Sequence, residues 1–340
     1  MRANRTLMTV DDVHGAWVII PTPAKPGAED WRSRNTVDLN ETARVVNALI
    51  DAGADAIMSL GSLGECATLT WDEKKAFMAT LVETARGRVP VFVGTTTLNT
   101  RDTIEHTQYA VDIGASGTML GLPMWCAAST AGAVQFYRDV AEACPDIAIC
   151  VYANAEAFRF EYPAAFWAQL ADIPQVIAAK YLGVGTLLRD LNASRRRIRF
   201  LPVNHDYYGA ARMDPEFCTA FWSGGAVCGP RVVTDLRDEV IRAKSTGDWR
   251  RAKKLSDAAG AASALFIPPG GFKEFAMHNI GLEKARANAA GWMHAGPCRP
   301  PYHLTPASLL EGAAQSGKRW AAIQAALDAG EFFDESAQTG

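Results

Sequence analysis

The chain has 340 residues, 49% hydrophobic and 21% charged, with a formal net charge of −3. That length admits two ordinary domains or one large α/β barrel with an appendage. The balance of 34 basic against 37 acidic residues leaves no electrostatic footprint for nucleic acid or an anionic membrane.

No apolar run approaches the roughly 20 residues that span a bilayer, and the first residues lack the apolar core of a signal peptide. The 7 cysteines (Cys66, Cys126, Cys144, Cys150, Cys218, Cys228 and Cys298) are scattered without a C-x-x-C pair, and the 6 histidines form no H-E-x-x-H. The expectation is a cytoplasmic protein with reduced, mostly buried thiols and no metal site.

Along the chain, short apolar runs alternate with amphipathic stretches. The first run is AWVIIP (16–21), followed by DLNETARVVNALIDAG, with Asp38 as its helix N-cap, Glu41 three residues on and Gly53 past its end. DAIMSLG (55–61) precedes the helical TWDEKKAFMATLVETARG, and PVFVGT (90–95) precedes NTRDTIEHTQYAVDIG, which stops at Gly114. The runs continue as GTMLGLP (117–123), IAICVY (147–152), VIAAKY (176–181), IRFLPV (198–203) and TAFWS (219–223). Uninterrupted apolar runs suit parallel strands buried on both faces. This predicts an α/β fold, a (β/α)8 TIM barrel over residues 12–245, with a C-terminal helical extension over 246–335 where the strand signal vanishes. A doubly wound nucleotide-binding sheet is disfavoured by the lack of G-x-G-x-x-G after a strand.

Barrel chemistry gathers at the C-terminal strand ends. The fifth run ends in Tyr152 and the sixth in Lys180, about one βα repeat later, so neighbouring strands present a phenol and an amine at one rim. Lys180 follows Val176-Ile177-Ala178-Ala179, an apolar wall that would favour the free amine needed to attack a ketone. The plain alternative is a strand-end lysine reaching out to solvent. The turn Gly61-Ser62-Leu63-Gly64-Glu65 offers backbone N–H groups to an anion, or is a simple βα turn with Glu65 near the next helix start. Trp125, Trp222 and Tyr207-Tyr208 near strand ends suggest a flat aromatic slot, or packing at a subunit interface.

With Tyr152, Lys180 and the Gly61–Glu65 turn in place, the chain resembles the dihydrodipicolinate synthase / N-acetylneuraminate lyase family of pyruvate-dependent class I aldolases. GECATLTWDEK (64–74), YANAEAF (152–158), AKYLGVG (179–185), TAFWSGGAVCGP (219–230) and NIGLEKARANAAGW (279–292) resemble its benzylidenepyruvate hydratase-aldolases of naphthalene and phenanthrene degradation. The resemblance implies a homotetramer that needs no metal or organic cofactor. It implies Lys180 as the Schiff-base residue, Tyr152 as the proton carrier and Ser62 with Leu63 as the holders of the pyruvyl carboxylate. Asn154 would position water or a substrate hydroxyl, Trp222 would line the aromatic slot, and Asn279 would reach in from the tail. Two departures stand out: Leu63 replaces a second loop hydroxyl, and Pro123-Met124-Trp125 replaces the Pro-Tyr-Tyr that supplies a tyrosine across the dimer.

The implied substrate is an aromatic 2-oxo acid, an ortho-substituted trans-benzylidenepyruvate. The donor-capable Asn204-His205 pair tilts the expectation to trans-2'-carboxybenzalpyruvate, cleaved to 2-carboxybenzaldehyde and pyruvate. The alternatives are the ortho-hydroxy compound giving salicylaldehyde, a synthase-type aldolase acting on an aliphatic aldehyde, and a non-catalytic ligand-binding barrel.

Overall fold

Each apolar run of the sequence becomes a strand: β1 Gly15–Ile20, β2 Ala56–Ser59, β3 Val91–Gly94, β4 Gly117–Leu120, β5 Ala148–Tyr152, β6 Val176–Lys180, β7 Arg199–Leu201 and β8 Ala220–Ser223. The structure, a computed structural model, describes residues 7–334, so the expected end of the extension at 335 lies outside the described residues. The strands form one parallel 8-stranded sheet in the order β7-β6-β5-β4-β3-β2-β1-β8. A parallel bridge between Val203 and Trp222 joins the two ends, closing the (β/α)8 barrel.

Strand side chains are buried on both faces, and their alternation divides the core in two. Trp17, Ile19, Met58, Phe92 and Met119 fill the barrel interior. Ala16, Val18, Ile20, Ile57 and Val93 point outward against Val45, Leu49 and Phe77 of the surrounding helices. Period-two alternation with both sets apolar is why these segments read as continuous apolar runs.

The first helices obey their end signals. In α1 (Leu39–Asp51) the Asp38 carboxylate accepts the Glu41 N–H at 3.0 Å. A reciprocal Thr70–Glu73 capping box opens α2 (Trp71–Ala85). Then come α3 (Thr100–Asp112), α4 (Thr130–Ala143), the short α5 (Ala155–Phe158) and α6 (Ala164–Leu170), α7 (Leu187–Ala193), α8 (Asn204–Met213) and α9 (Arg231–Thr246).

Beyond the barrel strands run α10 (Arg250–Ala264), α11 (Gly271–Ala290) and α12 (Ala307–Asp328). A small cluster of Phe266, Phe275, Leu282 and Ala313 binds these helices together. α12 crosses α11 so closely that a Cβ on Gly317 would stand 2.1 Å from the Arg286 carbonyl oxygen. α10 is tied to α8 by Ser256 Oγ, which donates to the His205 carbonyl at 2.8 Å. This packing lays part of α11 over the end of the barrel where Tyr152 and Lys180 emerge.

Candidate active site

β5 and β6 pair in parallel with Tyr152 directly opposite Lys180. Lys180 is buried, with Nζ 3.5 Å from the centroid of the Trp222 ring and 4.4 Å from that of Tyr152. The Trp222 indole N–H donates to the Tyr181 carbonyl at 2.8 Å, which fixes the plane facing the amine. The Tyr152 hydroxyl lies 3.1 Å from Ser62 Oγ, and Asn154 Nδ2 donates to it at 3.4 Å. Asn154 is itself held as the N-cap of α5, its Oδ1 accepting the Ala157 N–H at 3.1 Å.

Burial pushes the Lys180 ammonium down from its ordinary range, and the neighbouring Tyr152 pulls back against it without restoring it. Burial alone would raise the Tyr152 phenol, but the Lys180 charge and the hydrogen bonds of Ser62 and Asn154 outweigh it and bring it down. The two groups are thereby poised to exchange a proton closer to neutrality than either does in water.

The Gly61–Glu65 turn owes its shape to a buried charge cluster. α2 begins at Trp71, so Glu65 does not lie at the helix start. It has a left-handed backbone (φ 56°) and is fully buried, its carboxylate paired with Lys284 Nζ of α11 at 2.7 Å and with the Arg299 guanidinium. The Arg299 backbone N–H also donates to Glu65 at 2.8 Å. Gly64 fits because a Cβ there would stand 2.8 Å from the Leu60 nitrogen. The helical extension thus grips the turn from behind.

A cavity of about 570 Å³ opens above Lys180. It brings together Lys180, Tyr152, Asn154, Leu63, Trp222 and Asn279, all singled out from sequence. Ser62 lies on the other side of the Tyr152 hydroxyl and faces an adjoining hollow shared with Asn154 and Asn279. Three expected rim aromatics are elsewhere: Trp125 is 76% exposed, Tyr207 is buried against Phe221, and Tyr208 packs edge-on to Trp249. His205 lies in the first turn of α8 and lines the cavity. Sequence reasoning missed Phe266, Glu283 and Arg286, which line the cavity from the extension. Strand ends could not reveal them, although Glu283 and Arg286 fall inside the NIGLEKARANAAGW segment.

A buried amine facing a phenol at a barrel mouth, beneath a slot walled by an indole, is the site of a class I aldolase, a carbon–carbon lyase. The Dihydrodipicolinate synthetase family model matches residues 29–305. The trans-O-hydroxybenzylidenepyruvate hydratase-aldolase of Sphingobium xenophagum is 62% identical over 325 residues, 96% of this chain and 99% of that protein. The trans-2'-carboxybenzalpyruvate hydratase-aldolase of Nocardioides sp. (strain KP7) is 39% identical over 321 residues, 93% of this chain and 96% of that protein. The solved structure described as PhdJ bound to substrate intermediate aligns with a TM-score of 0.91 at 45% identity, covering 94% of this chain and 99% of that one. The chain belongs to the dihydrodipicolinate synthetase family and, within it, is a hydratase-aldolase.

Proposed function

We propose that this hydratase-aldolase acts on trans-o-hydroxybenzylidenepyruvate, releasing salicylaldehyde and pyruvate, in the breakdown of fused aromatic hydrocarbons in the cytoplasm. The observation that carries the chemistry is the Lys180 amine, buried between the Trp222 and Tyr152 rings. The ortho-hydroxyl is favoured by the 62% identity to the Sphingobium enzyme named for that substrate, against 39% to the enzyme named for the carboxylate. The ortho-carboxylate remains the second reading, supported by His205 at the cavity wall.

In this reading the free amine of Lys180 attacks the substrate ketone, and loss of water leaves an iminium conjugated to the alkene. The iminium draws electrons from the benzylic carbon, which accepts the oxygen of a water molecule while the neighbouring carbon takes up a proton. Asn154 and Asn279 hold that water, and the buried Asn279 Oδ1 has no other hydrogen-bond partner. Tyr152 then removes the proton of the new hydroxyl. The adjacent C–C bond breaks, its electron pair moves to the iminium nitrogen, and the aldehyde leaves. Protonation of the resulting enamine and hydrolysis free pyruvate and Lys180. The Ser62–Leu63 turn holds the pyruvyl carboxylate, and Trp222 lies against the aromatic ring. A homotetramer is part of the same reading.

The test is borohydride reduction of the protein with pyruvate, followed by turnover of both ortho-substituted substrates. A stable adduct mapped to Lys180, its loss in Lys180→Ala together with turnover, and salicylaldehyde as product are expected. Full turnover by Lys180→Ala would end the Schiff-base reading.

A further inference from the structure

Lys180 is followed by Tyr181, and strand alternation sends the two side chains to opposite sides of β6. Lys180 reaches the cavity, whereas Tyr181 points away from the barrel axis and packs edge-on to Phe200, centroids 5.1 Å apart, and to Trp167 of α6 at 6.3 Å. There its hydroxyl meets a buried acid that the proposed chemistry does not use. It donates to Asp190 Oδ2 of α7, and Asp190 is 1% exposed. Burial first, and the Asp190 hydrogen bond second, push the phenol up from its ordinary value, so it stays protonated. Its one proton is given to Asp190, so the Thr186 hydroxyl, also in contact, donates to the phenol oxygen. Half-exposed Arg189 neutralises Asp190, with Nε 2.8 Å from Oδ1.

Tyr181 and Thr186 are the two ends of the β6–α7 loop, so the loop is closed at its base by these bonds. The Thr186 carbonyl adds to the closure by accepting the Asp190 N–H at 3.0 Å. Between the ends, Leu182 and Gly183 line the active-site cavity. Val184 packs against the apolar core, but a Cβ on Gly183 (φ 74°) or on Gly185 would meet nothing within 4 Å. A loop with so little packing around it takes its position from the bonds at its base. Tyr181 also carries the other wall of the slot, because its carbonyl accepts the Trp222 indole N–H at 2.8 Å.

We propose that the Tyr181–Asp190 hydrogen bond is a latch that positions the aromatic end of the site, setting the Trp222 plane and the Leu182 wall against the substrate ring through the one peptide unit that bears both. Tyr181 and Asp190 are positioning residues, since neither side chain lines the cavity. The assignment rests on the benzylidenepyruvate reading above, in which Trp222 lies against the ring. The pyruvate end lies outside the latch's reach, because the Ser62–Leu63 turn is held separately, through Glu65, by Lys284 and Arg299.

The experiment measures KM and kcat of Tyr181→Phe on trans-o-hydroxybenzylidenepyruvate, together with the pyruvate concentration that half-saturates borohydride trapping. The variant keeps the ring packing and the backbone carbonyl and removes only the hydrogen bonds of the phenol. KM should rise about threefold to tenfold, the size of one hydrogen bond, with kcat falling less and the half-saturating pyruvate concentration unmoved. An unchanged KM would overturn the latch. So would an equal weakening of pyruvate and of the aromatic substrate, which would mark a general loss of structure. Asp190→Ala should give the same rise, and the Tyr181→Phe/Asp190→Ala double variant no more than either alone, whereas effects that multiply would show that the two side chains act separately and overturn the pairing. If Asp190→Ala does not fold, Thr186→Val, at an exposed position, takes its place in the cycle. Failure of the parent reading looks different: the wild type would neither trap pyruvate nor turn over the substrate.

Discussion

Tyr152 and Lys180 form a coupled pair in which each tyrosine charge supports the ammonium and each ammonium lowers the phenol. Replacing Tyr152 by Phe removes both the proton carrier and the negative charge that pulls the Lys180 value up. Turnover should fall about 10²-fold or more, the usual size of a general acid–base contribution. The sign of the pH effect follows from the same coupling. With burial unopposed by the phenol, the amine deprotonates at lower pH, so the acidic limb for Schiff-base formation should move down in Tyr152→Phe. Rates of borohydride trapping with pyruvate against pH measure it, and an upward shift would show that Tyr152 does not act on Lys180 as described. Both residues were legible in the sequence because strand ends index the barrel mouth. Of the two readings open for the strand-end aromatics, a rim slot or a subunit interface, the slot does not hold for Trp125 and Tyr207, since a residue just past a strand can turn away from the axis: Trp125 is exposed and Tyr207 packs against Phe221.

At the level of elements, α11 decides how much of the site exists. It carries Asn279, Glu283 and Arg286 to the cavity and Lys284 to the back of the Gly61–Glu65 turn. The resemblance pointed to Asn279, but the charged part of α11 was hidden in the sequence because helix reading sends charges to water, whereas Glu283, Lys284 and Arg286 are all buried here in ion pairs with partners far along the chain or one turn away. The β-strands were readable for the opposite reason, being apolar on both faces whatever they pack against. The clamp on Glu65 gives a prediction at this scale. Glu65→Gln leaves Lys284 and Arg299 buried without their shared counter-ion, a change that costs about 3–5 kcal/mol when a buried pair is broken. Denaturant unfolding should register that loss. Because the turn is proposed to hold the pyruvyl carboxylate, KM should rise more than kcat falls. A destabilised variant with unchanged KM would make the clamp structural alone.

For the whole molecule, a net charge of −3 spread over 340 residues leaves little self-repulsion between copies. No helix among the described residues is long and apolar enough to cross a membrane. Leu98 and Trp125 are 54% and 76% exposed, on loops that follow neighbouring strands β3 and β4. Trp125 occupies the place where the resemblance puts a tyrosine shared across a dimer, and its backbone is held by Arg159 Nη1 donating to the carbonyl at 3.0 Å. We propose that this rim is the subunit contact of the homotetramer. Covering one such indole is worth about 4 kcal/mol per copy at the usual area coefficient. Light scattering on the eluting protein should therefore give about four times 36.7 kDa. Trp125→Glu should lower that mass to the dimer or monomer, since it replaces buried indole area with a carboxylate that has no partner at the contact. A wild-type mass of one subunit would overturn the tetramer. A Trp125→Glu protein that stays tetrameric would place the contact on another face, leaving the exposed rim of β3 and β4 without a role in assembly.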